Sequence, residues 1–169
     1  MVKYFSKVLP FSPLLVENGE SSKQDGVKEI LTNLFIDPDL RHRILDYHLN
    51  IRDQVRRAYL LKGTCQPKNH NFPFKEYGKT PQRRFIPSWF DKHKTWLEYS
   101  IEKNATYCLC CYLFRPKIDE QGSGDSFVGD GFSNLKRPER LFKHEGSTNS
   151  AHDQTQKNCD ALLNEKKHI

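Results

Sequence analysis

The feature that most constrains this chain is Cys108-x2-Cys111, followed after a long interval by His144-x7-His152. Zinc takes four nitrogen or sulfur donors in a tetrahedron, and two Cys with two His make a closed set of that kind. A C-x2-C pair in a turn aims both sulfurs at one point. The sequence therefore predicts a knuckle between a strand ending at Tyr107 and another over Tyr112–Phe114, with Tyr107, Tyr112 and Phe114 shielding the thiolates. The histidines are spaced more widely than in the common H-x3-5-H pattern. In one continuous helix, residues eight apart are separated by about 12 Å along the axis, too far to share an ion. A helix break is expected at Gly146-Ser-Thr-Asn149, leaving His144 at the end of one helix and His152 at the start of the next. Cys110 is an alternative ligand in place of Cys108 or Cys111, although adjacent Cys110 and Cys111 do not easily bind one ion together. Cys65 and Cys159 read as isolated thiols, and His93 as a remote alternative ligand.

Composition says why such a staple is needed. Only 36% of the 169 residues are hydrophobic, and the mean hydropathy is -0.78. A small apolar core struggles to offset the conformational entropy of ordering the chain, and a structural metal supplies the shortfall. The cysteine count is five, an odd number, with three crowded at 108, 110 and 111. The longest apolar runs, near Leu14–Val16 and Ile30–Ile36, are far shorter than the ~20 residues of a membrane span. The start, Met-Val-Lys-Tyr-Phe-Ser-Lys, lacks the apolar core of a secretory signal. A reducing cytosolic or nuclear setting is expected, where crowded thiols suggest metal before disulfide.

Along the chain, residues 1–22 are expected to form a disordered arm, broken by Pro10, Pro13, Gly19 and Ser21–Ser22. Residues 23–66 read as a helical N-terminal segment. Val27, Ile30, Leu31 and Leu34 have helical spacing between an Asp25 cap and Pro38. A second helix is predicted over Asn50–Lys62, with Asn50 and Asp53 as a capping box, Gly63 past its end, and an apolar stripe of Ile51, Val55, Ala58 and Leu61. Residues 67–88, with Pro67, Pro73, Gly78, Pro81 and Pro87, predict an irregular connector. From residue 89 onward the pattern is a small domain. It comprises a hairpin with strands at Trp96–Tyr99 and Ala105–Tyr107 about a turn at Glu102–Asn104, a Gly- and Asp-rich loop over 118–131, a helix over Pro138–His144, and a helix from about Ser150 to Asn164. The fold class expected is α+β: a small zinc-stapled, ββα-like finger with flanking helices and irregular N-terminal segments.

Catalytic sets are absent from this pattern. The sequence has no Gly-rich phosphate loop, no G-x-S-x-G elbow and no H-E-x-x-H. Four protein ligands leave a zinc no open position for water, so the site is expected to be structural and the chain not an enzyme. Asp119, Glu120, Asp125 and Asp130 read as solvated loop charge.

Lys+Arg outnumber Asp+Glu by 27 to 21, and the pI is about 9.0, which favours polyanionic partners. Two stretches mix cations with aromatics. One has Arg83, Arg84, Lys92 and Lys94 among Phe85, Trp89, Phe90 and Trp96; the other has Lys136, Arg137, Arg140 and Lys143 on the helix leading to His144. In ββα fingers the His-bearing helix is the one offered to DNA. These eight cations are the expected nucleic-acid contacts, meeting phosphates with little sequence choice. Trp89 and Trp96 are expected to be core residues rather than stacking platforms.

Residues from about 41 to 168 resemble the TTF-type zinc finger region of plant hAT-family transposase-like proteins. The stretches that carry the resemblance are Val55-Arg-Arg-Ala-Tyr-Leu, Gly63-Thr-Cys-Gln-Pro, Arg84-Phe-Ile-Pro-Ser-Trp-Phe, Trp96-Leu-Glu-Tyr-Ser, Tyr107-Cys-Leu-Cys-Cys-Tyr-Leu-Phe, Gly131-Phe-Ser-Asn and His144-Glu-Gly-Ser-Thr-Asn-Ser-Ala-His152. The resemblance implies a finger domain over 89–168 with Cys108, Cys111, His144 and His152 on zinc, DNA binding and nuclear localisation. It also implies a large RNase H-like catalytic domain after the finger and a C-terminal dimerisation segment. Here the expectation is a fragment that stops short of that catalytic domain. Cys110 departs from the family pattern inside the C-x2-C. A finger that docks another protein and a non-functional transposon-derived remnant are the alternative readings. No membrane and no small-molecule substrate is expected.

Overall fold

The computed structural model describes residues 20–115 and 126–165. The arm expected over 1–22 lies outside these except for its last three residues, which begin a helix. Most of the 118–131 loop, including Asp119, Glu120 and Asp125, also lies outside them. The chain divides into two units, Met1–Asn33 and Leu34–Ile169. The first contains helix α1, Glu20–Thr32. It starts earlier than Asp25, which therefore lies inside it rather than capping it. It ends near Thr32, whose hydroxyl donates back to the Lys28 carbonyl.

The second unit has mixed α+β architecture. Its elements in order are α2 (Arg52–Lys62), β1 (Lys75–Tyr77), β2 (Thr80–Arg83), α3 (Ser88–Lys92), β3 (Leu97–Ser100), β4 (Ala105–Cys108), α4 (Leu109–Phe114), α5 (Glu139–Glu145) and α6 (Ala151–Asn164). Three single-turn 3-10 helices precede α2, at Pro38–Leu40, Ile44–Asp46 and Leu49–Ile51.

The centre of the unit is the antiparallel pair β3–β4, with Leu97 opposite Cys108 and Ser100 opposite Ala105. Both strands are buried along their whole length, so both faces of the pair are covered. Successive side chains alternate between faces. Tyr99 on one face meets Phe72 and Phe85 at centroid distances of 4.8 and 5.0 Å, with Phe90 completing an aromatic cluster. On the other face, Glu98 receives a bidentate pair of bonds from Arg41 at 2.6 and 2.8 Å. The Tyr107 hydroxyl there donates to Asp39 at 3.2 Å. Asp37 accepts from the backbone N–H of Ile101 at 2.9 Å, pinning the segment before α2 to the β3–β4 turn. Asn104 takes the positive φ (51°) that the tight turn requires.

Four sequence expectations are corrected here. Tyr112–Phe114 is not a strand: α4 runs through it, because the Cys108 sulfur accepts from the Cys111 N–H and caps a helical turn. The knuckle thus joins a strand to a helix, not two strands. The Asn50–Asp53 capping box is also absent. The His48 ring accepts from Asn50 N–H instead and starts a 3-10 turn that runs into α2. The buried stripe of α2 is Val55 and Tyr59, while Leu61 is 68% exposed. The Tyr59 ring is drawn inward by an edge contact with Tyr112 and a bond to the Phe35 carbonyl. Lastly, residues 67–88 are not irregular throughout. They carry the β1–β2 hairpin and supply Phe72 and Phe85 to the core. Gly63 caps α2 with φ 78°, as its position predicts.

Candidate metal centre

Cys108, Cys111, His144 and His152 converge, with their ligand atoms all within 4.8 Å of one another. Each arrives by a different local device. Cys108 ends β4, in register with Leu97, and Cys111 lies in the first turn of α4. His144 lies in the last turn of α5, which stops at Gly146 with φ 66°. His152 opens α6 behind Ser150, whose hydroxyl caps Asp153 N–H and donates to the Glu145 carbonyl. Asn149 also takes φ 66°. The expected break between the histidines is thus built from two positive-φ residues, and the chain reverses so that both rings face the thiols.

The separations have the size of a zinc tetrahedron. Zn–S of about 2.3 Å and Zn–N of about 2.05 Å place sulfur and nitrogen about 3.6 Å apart at the tetrahedral angle. Cys108 Sγ lies 3.4 Å from His152 Nδ1. Cys111 Sγ lies 3.6 Å from His144 Nε2 and 3.7 Å from His152 Nδ1. The chemistry agrees: two thiols and two imidazoles form a closed four-donor set for a borderline cation. Protons and a cation compete for the same atoms. Burial pushes the Cys108 thiol well up. The bond from Cys108, joined by His144 and His152, holds Cys111 below the ordinary thiol range.

A shell of side chains fixes these donors. Trp96 is 2% exposed, and its ring meets His144 and His152 at 4.9 and 5.2 Å. Phe127 lies 4.3 Å from His144. Phe127 is held there by Cys108 N–H donating to its carbonyl, and by the bridge between Thr106 and Phe132 next to it. The Thr155 hydroxyl sits 3.5 Å from Cys111 Sγ. Glu145 accepts from Trp96 Nε1 at 2.7 Å and pairs with His93 Nδ1 at 2.6 Å. Such partners orient ligands and raise metal affinity. Sequence reasoning missed Thr155, and the signal available for it was its place three residues after His152 on the same helix face. Trp96 and Glu145 had no signal beyond lying near the expected site.

Other candidates point elsewhere. Cys110 Sγ lies 3.3 Å from Gln156 Oε1, with Cys159 beside it. His93 is bound to Glu145, and the Cys65 thiol donates to the Tyr99 carbonyl.

All eight expected nucleic-acid contacts are exposed. Arg83 ends β2 and Lys92 ends α3, with Lys94 two residues on. Arg84 stacks over Phe74 at 4.8 Å. Lys136 lies over the Tyr77 ring at 4.9 Å. Arg137 pairs with Glu139 at 3.5 Å, Arg140 lies 6.0 Å from the Phe132 ring, and Lys143 is in the last turn of α5. Lys136 thereby reaches β1 rather than the first stretch, and the spans of the two stretches touch where Phe142 packs 4.8 Å from His93. Trp96 is a core residue, as expected, and half-buried Trp89 packs on Phe85 at 5.1 Å.

A family model described as ZMYM1/FAM200, RNase-like domain, matches residues 125–169, about a quarter of the chain. The match includes His144 and His152 and stops short of both cysteines. No curated protein and no solved structure matches the chain.

Proposed function

We propose that this chain is a zinc-stapled DNA-binding module of transposon-derived origin, acting in the nucleus and not as an enzyme on its own. The observation that carries the proposal is the set of three sulfur–nitrogen separations of 3.4, 3.6 and 3.7 Å among Cys108, Cys111, His144 and His152. Zinc in that set would be structural, tying β4 and α4 to α5 and α6 in the manner of a TTF-type finger. The family match to an RNase-like domain supports the transposon-derived origin. A closed four-donor set leaves a bound zinc no open position for water, which fits a structural role. Among the described residues, the one His/Cys/Asp/Glu grouping close enough to hold a cation is this closed Cys2His2 set.

DNA is the partner best supported, because Arg83, Arg84, Lys92, Lys94, Lys136, Arg137, Arg140 and Lys143 are all exposed, and the last four lie on or just before α5, the element that carries His144. Their contacts would be with phosphates, and sequence choice would be low. The test is filter binding of the zinc-loaded chain to a mixed-sequence duplex across a salt series. Phosphate contacts give a slope of about -0.9 in log K against log salt for each phosphate neutralised. A slope of about -3 or steeper supports the reading. A slope near zero, or binding indifferent to the removal of these cations, overturns it.

A further inference from the structure

The hairpin β1–β2 pairs only with itself among the described strands, and every residue of β2 is exposed. Its turn is the two-residue Gly78-Lys79, between paired Tyr77 and Thr80. Gly78 has φ 61°, the first central position of a type II′ turn, where glycine is needed. The result is a narrow ribbon with Lys79 at its tip, Arg83 at the end of its return strand and Arg84 just past it. Glu76 is occupied by the Gln82 amide at 3.0 Å.

The ribbon is anchored on its inner side. The Tyr77 hydroxyl donates to the Ser133 carbonyl at 3.0 Å and accepts from Leu135 N–H at 2.8 Å. Lys75 donates to the Asn104 carbonyl at 2.9 Å. The segment gripped by Tyr77 leads directly into α5. An open cavity of about 290 Å³ lies there, lined by Phe132, Ser133, Asn134, Arg137 and Arg140 among others. A hydroxyl, an amide and two guanidinium groups around one hollow suit a phosphodiester.

We infer that the β1–β2 ribbon and the cavity at its base form one surface for the phosphate backbone of duplex DNA, with the ribbon as a wing beside α5 and Tyr77 as the joint between them. The inference rests on the DNA-binding reading above and deepens it. A duplex fits better than a single strand, because single strands are held by aromatic platforms. Both rings at the ribbon are covered by cations: Tyr77 lies under Lys136 with its hydroxyl committed, and Phe74 at its base lies under Arg84.

The test uses the full zinc-loaded chain and a mixed-sequence duplex, with Lys79→Ala/Arg83→Ala as one variant and Tyr77→Phe as a second. Zinc content is measured in each to show that the finger is intact. The double variant removes only exposed side chains. It is expected to lower the magnitude of the salt slope by about 2, roughly one for each phosphate no longer neutralised, and to weaken binding about tenfold or more at low salt. Tyr77→Phe keeps the ring and loses both hydroxyl bonds. It is expected to weaken duplex binding while zinc content stays at the unsubstituted level. If the unsubstituted chain binds duplex and the double variant has the same slope and affinity, the wing is wrong and the DNA-binding reading survives. If the unsubstituted chain does not bind duplex, both fall.

Discussion

The indole nitrogen of Trp96 donates to Glu145 at 2.7 Å, joining the residue before β3 to the residue after His144. The same carboxylate oxygen faces His93 at 2.6 Å. Partial burial pushes the Glu145 carboxyl up, but the bonds from Trp96 and His93 outweigh it and hold it below the usual carboxylate range. Glu145 thus fixes the end of α5 against the ring that walls the metal centre.

Replacing Glu145 with Ala strands the Trp96 and His93 nitrogens in the interior. A loss of about 1–3 kcal/mol is expected, read as a lower denaturant midpoint of the zinc-loaded chain with the metal stoichiometry unchanged. Glu145→Gln retains one acceptor oxygen and should recover part of the loss. Equal effects of the two substitutions would contradict the role given to the acceptor.

Cysteine substitutions separate the ligands from their neighbour. Cys110 faces Gln156 and not the cluster. Cys110→Ala should therefore keep full zinc binding and lose about 1–2 kcal/mol of packing. Cys108→Ala and Cys111→Ala should abolish tight binding. Loss of zinc in the Cys110 variant would move the register of the site.

Arg41 and Glu98 test the core beyond the metal. Both are buried, with side chains 2% and 0% exposed, and Arg41 lies over the rings of Tyr59 and Tyr112. Glu98→Ala leaves a buried guanidinium without its counter-charge, at an expected cost of about 3–5 kcal/mol. Arg41→Met combined with Glu98→Leu should cost less than the sum of the single changes, measured by denaturant unfolding. Additive losses would mean that the two charges do not act as a pair.

High pH should unfold the second unit cooperatively. Burial raises the phenols of Tyr47, Tyr107 and Tyr112 beyond the ordinary range, and that of Tyr99 up to about 12. An unfolded tyrosine ionises near pH 10. The stabilisation from these neutral phenols is complete below that pH and is lost as pH rises through their higher folded values. Tyrosinate absorbance and circular dichroism should change together above pH 10. Ionisation of Tyr47, Tyr99, Tyr107 and Tyr112, tracked by substituting each with Phe, without loss of structure would contradict their burial.

Much of the metal centre was legible because its constraints are local. The C-x2-C spacing, the eight-residue histidine separation and Gly146 together dictate a turn, a break and two helix ends. The helix over Tyr112–Phe114 was not legible, since a short apolar run fits strand or helix and the deciding event is the Cys108 sulfur capping its own turn. The β1–β2 hairpin was hidden by Pro81. That proline is tolerated because β2 is an exposed strand that pairs on one side. Arg41–Glu98 carries no pattern at all: 57 residues separate the partners, and only the covering of the second face of β3–β4 brings them together.

The most direct test of the account is a zinc titration of the metal-stripped chain, followed by its amide NMR spectrum. One equivalent should saturate the change, with dispersed signals gained by β3, β4, α4 and α6. A chain that takes up no zinc, or whose spectrum is the same with and without it, would contradict the claim that Cys108, Cys111, His144 and His152 hold this fold through a single ion.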